Sequence, residues 1–108
     1  METLRIEYGT GYMELIVKRF FPCPIQKMRK IARLINEHCS DEARANLVSS
    51  LREMAESYTA LCKTYKQKMA DLSEDSSEFR HLKVQFNKTE VLRKRMERNI
   101  GMITSVVK

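Results

Sequence analysis

Apolar and polar positions alternate with a period of two at the start of the chain and recur every three to four residues after it. Leu4, Ile6 and Tyr8 alternate with Arg5 and Glu7, and Met13, Leu15 and Val17 alternate with Glu14, Ile16 and Lys18, on either side of Gly9-Thr10-Gly11. Alternation on both sides of a glycine-rich turn predicts a β-hairpin over 3–18. Its register follows from what each loop length would set in opposition. A two-residue loop at Gly9-Thr10 pairs Ile6 with Met13, Leu4 with Leu15, and Arg5 with Glu14. A four-residue loop opposes Glu7 and Glu14, and a three-residue loop opposes Ile6 and Glu14, both unfavourable. The two-residue loop is therefore expected, with Gly9 at the φ > 0 position of a type II′ turn. Two strands alone are marginal in water, so the face carrying Leu4, Ile6, Tyr8, Met13, Leu15 and Val17 must rest on helices.

The helical part begins after Phe20-Phe21-Pro22-Cys23-Pro24, where Pro24 suits a first helical turn. Over 24–38, Ile25, Met28, Ile31, Ala32, Leu34 and Ile35 share one half of the wheel, and Arg29, Lys30 and Arg33 share the other. Ser40 is placed to cap a second helix whose first turn holds Asp41 and Glu42. Its apolar stripe runs through Ala43, Leu47, Leu51, Met54, Tyr58, Leu61, Tyr65, Met69 and Leu72, with a parallel line of Val48, Ala55, Cys62 and Met69. Two adjacent lines predict two packing neighbours. A helix over 41–72 would be on the order of 48 Å long, more than the roughly 30–35 Å of a compact 100-residue globule, so an elongated molecule is expected.

Residues 73–77 break the pattern, with Asp75 or Ser76 as cap for a last helix over 76–106. Phe79, Leu82, Phe86, Leu92, Met96, Ile100, Ile103 and Val107 form its inward stripe. The short connection forces it back antiparallel to its predecessor. The expected fold class is α+β, of order ββααα: an N-terminal two-stranded antiparallel β-hairpin, one short amphipathic helix, then a long antiparallel helical hairpin. At 108 residues the chain is expected to be a single domain.

Composition narrows function mainly by exclusion. No run of 18 apolar residues and no leader pattern occurs, which predicts a cytoplasmic protein without membrane contact. Cys23, Cys39 and Cys62 are odd in number and lack the short paired spacings of zinc sites. His38 and Cys39 are adjacent and would point about 100° apart on a helix, so ordinary packing is expected and no metal. Phosphate loops, dinucleotide fingerprints, HExxH and nucleophile elbows are all missing, and His38 and His81 lie singly within helical patterns. The chain is expected to be non-enzymatic, without a cofactor.

Charge placement is more informative than the net value of +6. No acid lies between Glu14 and Glu37, an interval that holds Lys18, Arg19, Lys27, Arg29, Lys30 and Arg33. A second cluster, Arg93, Lys94, Arg95 and Arg98, lies in the last helix. Both predict an anionic partner, either nucleic acid or an acidic protein surface. The second helix is too long and too acidic at its start for a recognition helix, so only contacts to the nucleic-acid backbone are expected if nucleic acid is bound.

Arg80, Val84, Val91, Arg95 and Met102 form a further arc on the last helix, away from the main stripe. Mixed aliphatics and arginines suit a protein-partner face; alternatively the arc packs on the first helix or the hairpin. Thr89 and Arg93 fall inside the inward stripe. Arg93 must then snorkel outward, meet an acid, or face a second chain.

These observations predict a small binding protein acting through helix faces and basic patches, with another protein as partner. A phage- or mobile-element-encoded accessory or inhibitor, for example of a host nuclease in anti-CRISPR fashion, has these properties. The alternatives are a sequence-nonspecific nucleic-acid-binding protein and a structural homodimer of helical hairpins.

Overall fold

The structure, a computed structural model, describes residues 2–104, with the side chain of Thr104 excluded. Strands β1 (Thr3–Tyr8) and β2 (Gly11–Ile16) are followed by a helical turn α1 (Val17–Phe20) and three helices, α2 (Ile25–His38), α3 (Asp41–Ala70) and α4 (Ser77–Thr104). The α+β architecture is the expected one. The expected end of the last helix at 106, and Val107 in its stripe, lie outside the described residues.

The hairpin has the register that the charge argument selected: Leu4 opposite Leu15, Arg5 opposite Glu14, Ile6 opposite Met13. Gly9 takes φ 60° and, among the described residues, no non-glycine residue has positive φ, as a type II′ turn requires. Arg5 does not use Glu14, however. Its guanidinium pairs with Glu7 at 3.2 Å and stacks 3.9 Å over the Tyr12 ring.

The second strand stops two residues short of the expected end at Lys18. The N–H of Val17 donates to the Glu2 carbonyl at 3.0 Å, just outside the paired strands. Beyond it the backbone bonds to itself instead, Phe21 N–H to Val17 C=O at 3.0 Å, which closes the single turn of α1. Tyr8, expected in the inward face, is partly exposed at the hairpin tip, where its ring lies 6.0 Å from that of His38. The hairpin thus runs the length of α2.

Ser40 and Ser76 cap α3 and α4, their hydroxyls accepting from the N–H groups of Ala43 and Phe79, each at 3.1 Å. The long helices pack antiparallel on each other, and α2 packs on both α4 and β1. The core gathers Leu4, Ile6, Leu15, Val17, Phe21, Cys23, Met28, Ile31, Ile35, Leu47, Leu51, Met96 and Ile103. It lies at one end of the molecule, which measures 58 × 21 × 21 Å. The radius of gyration of 17.0 Å exceeds the roughly 13 Å of a compact 100-residue chain.

A buried polar contact ties this end together. The segment between α1 and α2, which contains a cis Phe21–Pro22 peptide, has no ladder partner for its backbone. Asn99 of α4 supplies one: the Cys23 N–H donates to Asn99 Oδ1 at 2.8 Å, and Asn99 Nδ2 donates to the Cys23 carbonyl at 3.1 Å. Asn99 is fully buried.

Replacing Asn99 with Ala leaves a buried donor and a buried acceptor unpaired, so Asn99→Ala is expected to lower stability by about 2–4 kcal/mol in urea denaturation. By contrast, a Cβ on Gly9 would meet nothing within 4 Å. Gly9→Ala should therefore cost only the backbone term, about 1–2 kcal/mol.

Candidate functional site

One member of each sequence-separated basic cluster lies by the α1–α2 link. Lys27 on the first turn of α2 and Arg95 on α4 both act on the buried Cys23 thiol. Burial pushes that thiol above its ordinary value, and the two cations pull it partly back. Lys27 also sits with its Nζ 5.3 Å over the Phe20 ring. Arg29, Lys30 and Arg33 line the exposed outer face of α2, and Arg19 is exposed on α1. Lys94 and Arg98 are exposed on α4, one helical turn apart.

Two members of the expected basic set stand apart. Lys18 lines a hollow against α3 together with Glu2 and Glu53, away from the α2 row. Arg93 is half-buried and doubly paired, Nε to Glu90 at 2.6 Å and Nη1 to Glu97 at 2.9 Å. Of the three fates open to Arg93, the acid partners apply. Its charge is already taken within α4, on the side of the ribbon where Lys66 lies 5.6 Å over the Phe86 ring and the Cys62 thiol donates to Glu90 Oε1 at 3.6 Å. The Arg93 hydrogen bond holds the Glu90 carboxyl below its ordinary value. Burial, and then Glu90, push the Cys62 thiol up.

The mixed arc on α4 divides. Met102 packs against the core and Arg95 lies near Cys23, so this half is under the cap formed by the hairpin, α1 and α2. The other half is open: Val84 is 49% and Val91 55% exposed, with Arg80 exposed beside them. On α3, Leu61 is likewise 44% exposed. Leu61 belongs to the stripe expected to pack, yet it is left open to solvent. The distribution of acids was the missed signal. None lies between Ser57 and Ala70 or between Arg80 and Thr89. Totals over longer blocks hide this, because Glu53, Glu56, Asp71 and Glu74 flank these stretches.

A surface hollow at the start of α3 mixes Arg44 and Arg52 with Asp41, Glu53 and Glu56. Arg44 there pairs with Asp41 and donates to Asn36 Oδ1 at 3.4 Å, which leaves Arg52 beside Glu53 and Glu56 and gives the hollow no cationic character. His38 and Cys39 do not converge: the ring of His38 turns to Tyr8, while Cys39 ends α2. Among the described residues no group of three or more His, Cys, Asp or Glu could hold a metal ion, and no helix is long and apolar enough to cross a membrane.

No family model, curated protein or solved structure matches this chain.

Two outcomes follow from this chemistry. Burial protects Cys23 and Cys62, so alkylation at neutral pH should label the half-buried Cys39 first, and urea should equalise all three; peptide mapping reads the order. Glu90 has a folded value below its unfolded value near 4.5. Its contribution to stability is therefore fully present above that value and lost as pH falls through the folded one. The stability gap between the native chain and Glu90→Gln, read by urea denaturation, should narrow on acidification.

Proposed function

We propose that the chain is a non-enzymatic binding protein whose cationic surface engages an acidic surface on another protein. The observation that carries this reading is an exposed cationic row on α2, which Arg95 from the far end of the sequence approaches at Cys23. Arg29, Lys30 and Arg33 form a continuous row on α2, and none is ion-paired among the described residues. Lys27 and Arg95 join the row to α4 through the Cys23 region. Cations held on rigid helices keep their spacing, which favours a partner with a fixed acidic pattern. Binding alone would suffice for an accessory or inhibitory role.

A nucleic-acid backbone is the second reading, because the same row is spaced to follow phosphates. Capture of partners from source cells, before and after nuclease digestion, separates the two. The expected result is a protein partner that survives digestion and is lost with Lys30→Glu/Arg33→Glu. Recovery of nucleic acid alone, with probe mobility shifts that weaken steeply with salt, would transfer the function to the second reading.

A further inference from the structure

The uncapped half of the α3–α4 ribbon combines exposed apolar side chains with a lack of acids. Between Ser57 and Ala70, α3 carries Lys63, Lys66 and Lys68; between Arg80 and Thr89, α4 carries Arg80, Lys83 and Lys88. The acids that follow, Asp71, Glu74, Asp75 and Glu78, cluster at the turn joining the two helices.

Helical spacing places the apolar residues on the capped side of the ribbon. Asn99 bonds Cys23 and Met102 packs on the core, which fixes the side of α4 that faces the cap. Val91 lies one turn before Arg95 on that side, and Val84 two turns before Val91. On α3, Met54 shares a hollow with Val17 and Lys18 of the cap. Tyr58, Leu61 and Tyr65 follow Met54 at four, seven and eleven residues, along the same line. The strip that the cap covers at one end therefore continues, uncovered, along the rest of the ribbon. Lys68 lies two turns beyond Leu61, and Lys88 lies between Val84 and Val91; both are exposed on this side.

We propose that this open strip is a docking surface for an amphipathic α-helix of another protein, one whose apolar stripe is flanked by Asp and Glu. Two antiparallel helices side by side leave a trough into which a third helix packs. Leu61, Val84 and Val91 would receive the stripe, and Lys68 and Lys88 would meet its acidic flanks. A second copy of this chain would set Lys68 and Lys88 against other cations, a like-charge arrangement that selects against self-pairing. Nucleic acid would leave the aliphatic centre of the strip without an apolar complement. The strip is separate from the cationic row on α2, so either surface can fail without the other.

The test is selection of a displayed library of amphipathic helices of about 20 residues, on the order of 30 Å long, against the full chain. The stripe is fixed as Leu, and the flanking positions vary among Glu, Lys, Gln and Ser. Selected helices should carry Glu flanks and should still bind Lys30→Glu/Arg33→Glu. Val91→Asp and Leu61→Asp should each weaken them about tenfold or more without lowering the melting temperature, since both sites are exposed. Lys68→Glu/Lys88→Glu should turn the selection toward Lys flanks. The proposal is overturned if no helix is selected, if Lys or uncharged flanks win, or if Val91→Asp and Leu61→Asp bind as the native chain does. A dimer in sedimentation equilibrium that Val91→Asp dissolves would assign the strip to a second copy. A nucleic-acid mobility shift abolished by Val91→Asp would assign it to nucleic acid.

Discussion

The architecture depends on how one short piece of irregular backbone is satisfied. Between α1 and α2 the chain must leave the hairpin and start a helix while staying inside the protein, since Phe21 and Cys23 are both buried. A buried peptide group without a partner is costly, and the link has neither a strand nor a helical turn to serve it. The Asn99 amide offers one donor and one acceptor to the N–H and C=O of Cys23, as a neighbouring strand would. That single side chain, 76 residues away in sequence, fixes where the link meets α4. The position of α2 on α4 follows, as does the position of the hairpin along α2.

Length then decides how much of the ribbon is covered. A 14-residue α2 spans about 21 Å and a 30-residue α3 about 45 Å, while six-residue strands reach about 20 Å. A cap of these dimensions covers roughly half of the long hairpin. In the covered half, aliphatic side chains from four or more elements are removed from water together. In the other half two helices have only each other. Tyr58, Tyr65, Leu82 and Phe86 are accordingly half-buried, and Leu61, Val84 and Val91 are exposed.

Much of this was legible in local pattern. The hairpin register followed from opposing charges, the helix starts from Ser40 and Ser76, and the elongated shape from the length of the apolar stripe. What local pattern did not carry were the long-range decisions. Asn99 sits among apolar residues with nothing beside it to announce a backbone partner at Cys23. The early end of β2 reflects the turn of α1, in which the Val17 carbonyl takes the Phe21 N–H instead of a strand partner. The periodicity of α3 marks every apolar position alike, so it could not distinguish Leu51 beneath the cap from Leu61 past its end. The site residues divided as well. The cations on α2 are exposed, as an amphipathic wheel implies; helical spacing set Arg93 between Glu90 and Glu97, and tertiary packing put Lys18 in a hollow with Glu2 and Glu53.

The central claim is a molecule of two halves, one closed by the Asn99 contact and one open. Residue-resolved amide hydrogen exchange tests it most directly, since protection reports the free energy of local opening. The account predicts strong protection for the amides of Leu47–Leu51 and Met96–Ile103 and clearly weaker protection from Tyr58 through Phe86. In Asn99→Ala, protection should fall toward that weaker level in the hairpin, α2 and the adjoining turns of α3 and α4. Uniform protection along α3, or a capped half that exchanges as slowly in Asn99→Ala as in the native chain, would contradict it.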